Sequence, residues 1–142
     1  PNDNYDLLTS HFYPALISKI YNAKTKNKNT ITLWGNGKAK RELIYVDDIA
    51  DACIYFFNKR TKESLINIGS DSEKSITEYA KFIIKKFKLK LRIKYDLTKP
   101  NGTMRKKLDN SLAKKYGWRP KIDLNNGLEK VLESFIKIKK LT

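Results

Sequence analysis

The run Lys99-Pro100-Asn101-Gly102-Thr103-Met104-Arg105-Lys106-Lys107-Leu108-Asp109 sets a tight turn before a burst of donors and ends on an acid suited to cap a helix. A hydrophobic core needs none of these residues. Backbone N–H groups and cations gathered after a turn can instead close over a phosphate-bearing ligand. His11 is the only histidine. An imidazole titrates near neutrality and can give or take a proton; beside a helix start it also serves as an ordinary hydrogen-bonding polar residue. Arg41 follows Trp34-Gly35-Asn36-Gly37 and Lys38-Ala39-Lys40. Its planar fork matches two phosphate oxygens, with plain surface charge as the alternative. Trp34 suits either a strand inside a core or the wall of a flat ligand. Asn101, in Pro-Asn-Gly, is a turn residue that carries both an acceptor and a donor.

Other residues carry less chemistry. Cys53 is the only cysteine, so no internal disulfide can form. It shares one side of a predicted helix with Ile49, Ala52 and Phe56, which reads as a small buried apolar residue and not a nucleophile. Asp47 and Asp48 are neighbours at a helix start. They do not converge on one ion, and no His or Glu completes a set, so no metal is expected. Gly35-Asn36-Gly37-Lys38 has the spacing of neither a dinucleotide fingerprint nor a P-loop. No Tyr-x-x-x-Lys pair stands with a serine in the manner of a reductase centre.

These residues must be positioned by short alternating elements. Tyr13, Leu16, Ile17 and Ile20 fall at helical spacing and predict a helix from Pro14 to about Ala23, with proline in its first turn. Ile31–Trp34 reads as a strand, Gly35-Asn36-Gly37 as a turn, and Glu42–Val46 as a second strand. Asp47 is the expected N-cap of the next helix, with Asp48 in its first turn. Leu65–Gly69 reads as a buried strand. Ser75-Ile76-Thr77-Glu78 is a capping box opening a helix whose core face is Ile76, Tyr79, Ala80, Ile83 and Phe87. Leu91–Tyr95 alternates like a strand. Asp109 is placed to cap a short helix to Tyr116, stopped by Gly117. A last amphipathic helix uses Leu124, Leu128, Val131, Leu132 and Phe135. Strands alternating with helices imply a small mixed α/β domain.

Length and composition fit this. The chain has 142 residues, enough for one compact domain with its own core, and its hydrophobic content is that of a globular protein. No apolar run of about eighteen residues is present. The N-terminus lacks the basic and apolar regions of a secretion signal, and a lone cysteine suits a reducing cytoplasm. The net charge of +15 invites a nucleic-acid reading. Against it, the excess is nearly all lysine spread along the chain, whereas readers of phosphates and bases lean on arginine. The start on Pro1 suggests the second half of something larger.

Taken together, the motifs resemble the GDP-L-fucose synthase family of the extended short-chain dehydrogenase/reductases, across nearly the whole chain. Trp34-Gly35-Asn36-Gly37, Arg41-Glu42 and Val46-Asp47-Asp48-Ile49-Ala50 are shared by many nucleotide-sugar epimerases and dehydratases. Pro1-Asn2-Asp3-Asn4, Ser10-His11 before Pro14-Ala15-Leu16, and the run from Lys99 to Lys106 are more specific. The resemblance implies that residues 1–142 are a C-terminal substrate-binding domain whose NAD(P)-binding Rossmann half is absent. It implies conversion of GDP-4-keto-6-deoxy-D-mannose to GDP-L-fucose by 3,5-epimerisation and NADPH-dependent 4-reduction. NADPH would be bound mainly by the missing half, which also carries the family's cysteine base and Ser-Tyr-Lys centre.

His11 matches the family's acid and is the one candidate cofactor contact here. Lys19, Trp34, Arg41, Asn101 and Arg105 match positions that hold the GDP-sugar, Arg41 at the diphosphate. Lys19 keeps the charge of the arginine often found there but not its fork. Asn101 replaces the usual aspartate, and Met104 the usual proline. The resemblance further implies a cytoplasmic homodimer for the complete enzyme, no membrane or specific nucleic-acid partner, and little activity for the isolated chain. The alternatives are a domain of another epimerase or dehydratase acting on a UDP- or dTDP-sugar, and a basic nucleic-acid-binding module.

Overall fold

A computed structural model describes residues 3–7 and 9–141. Pro1 and Asn2 of the Pro-Asn-Asp-Asn motif therefore lie outside the described residues. The architecture is mixed α/β, in the order α1 (Phe12–Thr25), β1 (Thr30–Trp34), β2 (Lys40–Glu42), α2 (Val46–Asn58), β3 (Glu73–Ser75), α3 (Ile76–Lys86), β4 (Arg92–Asp96), β5 (Arg105–Lys106), α4 (Ser111–Lys115) and α5 (Leu124–Leu141). The chain forms two compact units, one made of Pro1–Lys40 with Lys74–Arg105, the other of Arg41–Glu73 with Lys106–Thr142. β2, β3 and β5 pair in the order β3-β2-β5, and the chain passes from one unit to the other within each of these strands.

In the first unit, α1 begins two residues before Pro14, with His11 as its N-cap in extended conformation. Pro14 sits in the first turn, where N–H groups have no intrahelical partner and a missing one costs nothing. The helix buries Tyr13, Leu16, Ile17, Ile20 and Ala23 and packs against α3 and β1. The rings of Phe12, Tyr13 and Tyr79 meet at centroid distances of 5.6–6.2 Å. Ile17, Ile20 and Ile83 are fully buried, each worth about 1.5–3 kcal/mol of transfer free energy. The capping box forms as the sequence predicts: Glu78 N–H donates to Ser75 Oγ at 3.2 Å and Ser75 N–H to Glu78 Oε2 at 2.7 Å. β1 pairs in parallel with β4, from Thr30 opposite Arg92 to Trp34 opposite Asp96. Its alternation turns Ile31 and Leu33 inward and leaves Thr32 and Trp34 outward.

The second unit departs further from expectation. Strand β2 ends at Glu42, and Leu43–Tyr45 carry no strand pairing. The Glu42 carboxylate instead accepts the N–H groups of Asp71 and Leu108, each at 2.8 Å, and so ties two loops to the end of β2. Tyr45, not Asp47, is the N-cap of α2; Asp47 and Asp48 both lie in its first turn. Asp48 is only 2% exposed, because its two oxygens accept the N–H groups of Lys121 and Ile122 at 3.0 Å. Ala52, Ala113 and Trp118 form the core, with Ile44, Tyr55, Phe56, Ile66 and Ile68 against them. Trp118 Nε1 donates to Asp51, which also pairs with Lys121.

Cys53 is exposed, which corrects its placement in the core. Helix α2 is apolar over a broad arc, interrupted by a stripe of Asp47, Asp48, Asp51 and Asn58, so periodicity alone does not fix which part of that arc turns inward. The Ala52 side does, and Val46, Ile54 and Phe57 face outward with Cys53. Leu65–Gly69 is not a strand: among the described residues it has no strand pairing, and Leu65 is 74% exposed. Asn110 Nδ2 holds its end through the Gly69 carbonyl at 2.8 Å. Asn110, not Asp109, occupies the N-cap position of α4, while the Asp109 carboxylate accepts Ser111 N–H at 2.9 Å. α5 buries Leu128, Leu132 and Phe135 as its spacing predicts.

Candidate functional site

Strand β1 delivers Trp34 to the mouth of a turn, where the side chain is 64% exposed. Exposure decides against the core reading of this tryptophan. The turn beyond it needs glycine twice. Gly35 and Gly37 have φ of +64° and +68°, in the left-handed region that side chains disfavour. Both positions are also filled from outside. A Cβ on Gly35 would meet Asn101 Oδ1 at 2.3 Å, and one on Gly37 would meet Thr77 Oγ1 at 2.3 Å and the Tyr95 ring at 2.7 Å.

Those neighbours hold the turn by hydrogen bonds. Asn36 N–H donates to Asn101 Oδ1 at 2.6 Å, and Gly35 N–H to the Asp96 carbonyl at 2.8 Å. Thr77 N–H and Oγ1 both donate to the Gly37 carbonyl at 3.1 Å, and Oγ1 also meets Tyr95 Oη at 3.1 Å. The ammonium of Lys99 lies 5.9 Å from the centroid of the Trp34 ring, a cation–π distance. Asp96 anchors the loop leading there. Its carboxylate accepts the hydroxyl and N–H of Thr98, which holds it below the usual aspartate range. The glycine turn is thus packed with protein atoms. It does not fit a dinucleotide, which needs an open cradle of backbone N–H groups.

The other predicted residues of this unit lie as follows. His11 is exposed at the N-cap of α1; its carbonyl accepts Ala15 N–H, and its imidazole makes no cap bond. Lys19 is half-buried on α1 and donates from Nζ to the Thr32 carbonyl at 2.9 Å, two residues before Trp34. Burial lowers its pKa. Arg105 is exposed in β5, just past Met104, whose carbonyl accepts Lys40 N–H at 2.7 Å. The structure therefore brings Trp34 and Asn101 together and sets Lys19 along the strand that carries Trp34. Arg41 belongs to the second unit, half-buried in β2. Sequence reasoning gave no role to Lys99, Asp96 or Thr77. Lys99 opens the very run that attracted attention, and its place beside a Pro-Asn-Gly turn was the available signal.

Residues 1–69 match the NAD dependent epimerase/dehydratase family. That match spans just under half of this chain of mixed α/β build. Its particular relatives are GDP-L-fucose synthases: the chain is 40% identical over 136 residues to the GDP-L-fucose synthase of Sinorhizobium fredii, covering 96% of this chain and 43% of that protein. It is also 40% identical over 138 residues to the GDP-L-colitose synthase of Yersinia pseudotuberculosis, covering 96% of this chain and 45% of that protein. The crystal structure of a GDP-L-fucose synthetase from Naegleria fowleri shares the fold, with a TM-score of 0.86 at 22% identity over 99% of this chain and 43% of that one. The chain thus spans less than half the length of the curated relatives it matches.

Proposed function

We propose that this chain is the C-terminal, substrate-binding portion of an enzyme of the GDP-L-fucose synthase type, acting on GDP-4-keto-6-deoxy-D-mannose. The observation that carries the reading is the outward Trp34 with Lys99 over its ring. An exposed indole beside a cation suits a ligand with a flat base and a phosphate. Within the first unit, Lys19, Trp34 and Arg105 bind the GDP-sugar, and Asn101 serves it through the turn beside Trp34. His11 is the acid of epimerisation, in which a proton leaves one face of a carbon beside the C4 ketone and another returns to the opposite face. NADPH, bound mainly outside this chain, supplies hydride to the ketone in the complete enzyme. The outward apolar side of α2 is the seat of the portion that the longer relatives carry and this chain does not. The complete protein is a cytoplasmic homodimer.

Titration of the chain with GDP and with UDP tests the reading, because Trp34 is exposed and its emission responds to a stacked base. GDP should quench it at lower concentration than UDP. Equal indifference to both nucleotides ends the proposal. In a chain completed with the missing portion of a relative, His11→Asn should abolish epimerisation while GDP affinity stays within a few-fold; an unchanged epimerisation rate removes the role of His11. The equal identity to a GDP-L-colitose synthase favours a second reading with the same nucleotide and a different hexose. Product analysis of the completed enzyme separates the two.

A further inference from the structure

The residue matched to a substrate contact, Asn101, spends its acceptor on the protein itself. Its Oδ1 takes Asn36 N–H at 2.6 Å and fills the space over Gly35 where a Cβ would stand. Two residues earlier, Lys99 reaches the Trp34 ring, and Asp96 receives Gly35 N–H and Lys99 N–H on one carbonyl. The loop from Asp96 to Asn101 is therefore stitched to the loop from Trp34 to Asn36 at successive points, each on a different residue of the turn.

We propose that Asn101 is a positioning residue that clamps this turn through the Asn36 amide and, with Lys99, fixes the direction of the Trp34 indole before a ligand arrives. The inference rests on the reading of Trp34 as a ligand-facing side chain. An exposed tryptophan on a glycine turn has two side-chain rotors and two permissive backbone positions to lose when it binds. A clamp that removes this freedom in the unliganded chain lowers the cost of binding. The clamp needs an acceptor at position 101, which aspartate supplies as well as asparagine. It needs no side chain at position 35, and Gly35 has none.

The test uses the intact chain and the two tryptophans. Trp118 is 2% exposed and Trp34 is not, so neutral acrylamide reports chiefly on Trp34. Asn101→Ala should raise acrylamide quenching and enlarge the fast phase of the anisotropy decay, while circular dichroism and the emission of Trp118 stay unchanged. Asn101→Asp should keep both at wild-type values. Gly35→Ala, whose Cβ displaces Oδ1, should loosen Trp34 as Asn101→Ala does, and the double variant should be no looser than Gly35→Ala. Lys99→Met should give a smaller loosening in a chain whose turn stays clamped.

Weaker GDP binding should accompany Asn101→Ala, by about 2- to 10-fold, the value of one side chain ordered in advance. The proposal is overturned if Asn101→Ala leaves quenching and anisotropy unchanged, or if Asn101→Asp loosens Trp34 as alanine does. A direct phosphate contact through Nδ2 in place of the clamp would also overturn it, and would show as weaker GDP binding in both Asn101→Ala and Asn101→Asp with Trp34 ordered in each. A wild-type chain whose Trp34 ignores GDP, yet loosens in Asn101→Ala, retains the clamp and loses the nucleotide reading.

Discussion

Replacing Asp48 by alanine should be the most damaging single polar change in the second unit. The side chain is 2% exposed and accepts two backbone N–H groups at 3.0 Å, from Lys121 and Ile122. Each bond to a charged acceptor is worth about 1.5–3 kcal/mol, and a donor left without a partner costs about 1–3 kcal/mol if buried. Lys121 is itself exposed and Ile122 half-buried, so water rescues part of the loss and the lower end applies to each. Loss of a carboxylate from the first turn of α2 adds about 0.3–1 kcal/mol through the helix dipole. The sum is about 2–4 kcal/mol, a large share of the 5–15 kcal/mol typical of a domain. Asp48→Asn should cost about half as much, because its one oxygen still accepts while its NH2 faces a donor. Urea unfolding in a Trp34→Phe background, followed by Trp118, reads the second unit directly. A cost below about 1 kcal/mol for Asp48→Ala would refute the assignment of Asp48 as the anchor of residues 121–122.

Two further expectations follow from exposed groups. Phe57 is 90% exposed on α2, so Phe57→Ser should change stability by no more than about 0.5 kcal/mol and should reduce self-association in sedimentation velocity. Cys53, on the same side, should react with an aromatic disulfide reagent at the rate of an unhindered thiol, and slow reaction in the native chain would contradict its exposure. Acid should weaken the first unit through Glu78. Hydrogen bonds from Ser75 hold this carboxyl below its ordinary value, so its contribution is full above the usual glutamate range and disappears as pH falls through the depressed value. Urea midpoints should therefore drop below about pH 4, and Glu78→Gln should flatten that drop.

The elements that the sequence foretold best are those whose signals are local. Ser75 and Glu78 meet within one helical turn, and the stripe Leu16, Ile17, Ile20 needs only one apolar side. Strand β1 alternates cleanly between inward Ile31 and Leu33 and outward Thr32 and Trp34. Leu65–Ile68 misled because an apolar, β-branched run reads as a strand, yet a strand exists only where another pairs with it. Cys53 misled because the broad apolar arc of α2 leaves the choice of inward side to its neighbours, here Ala113 and Trp118. The site divided in the same way. Trp34 was legible as a strand aromatic before a glycine turn, but its outward direction was not. The grip of Asn101 on Asn36 joins residues far apart in the chain, and no spacing rule foretells it.

The threading of the chain constrains how this protein can be made. Thr30 has no strand neighbour until Arg92 has been synthesised, and the first unit is complete only at Arg105. The second opens at Arg41 and waits for the C-terminal helix. During synthesis both therefore stay unfinished at once, with apolar segments held open over the same interval, a condition that invites aggregation and rewards chaperone attention. It also means that a single cut in β3 between Glu73 and Lys74 divides both units, whereas a cut between Lys40 and Arg41 leaves all of the second in one fragment and a cut between Arg105 and Lys106 leaves all of the first.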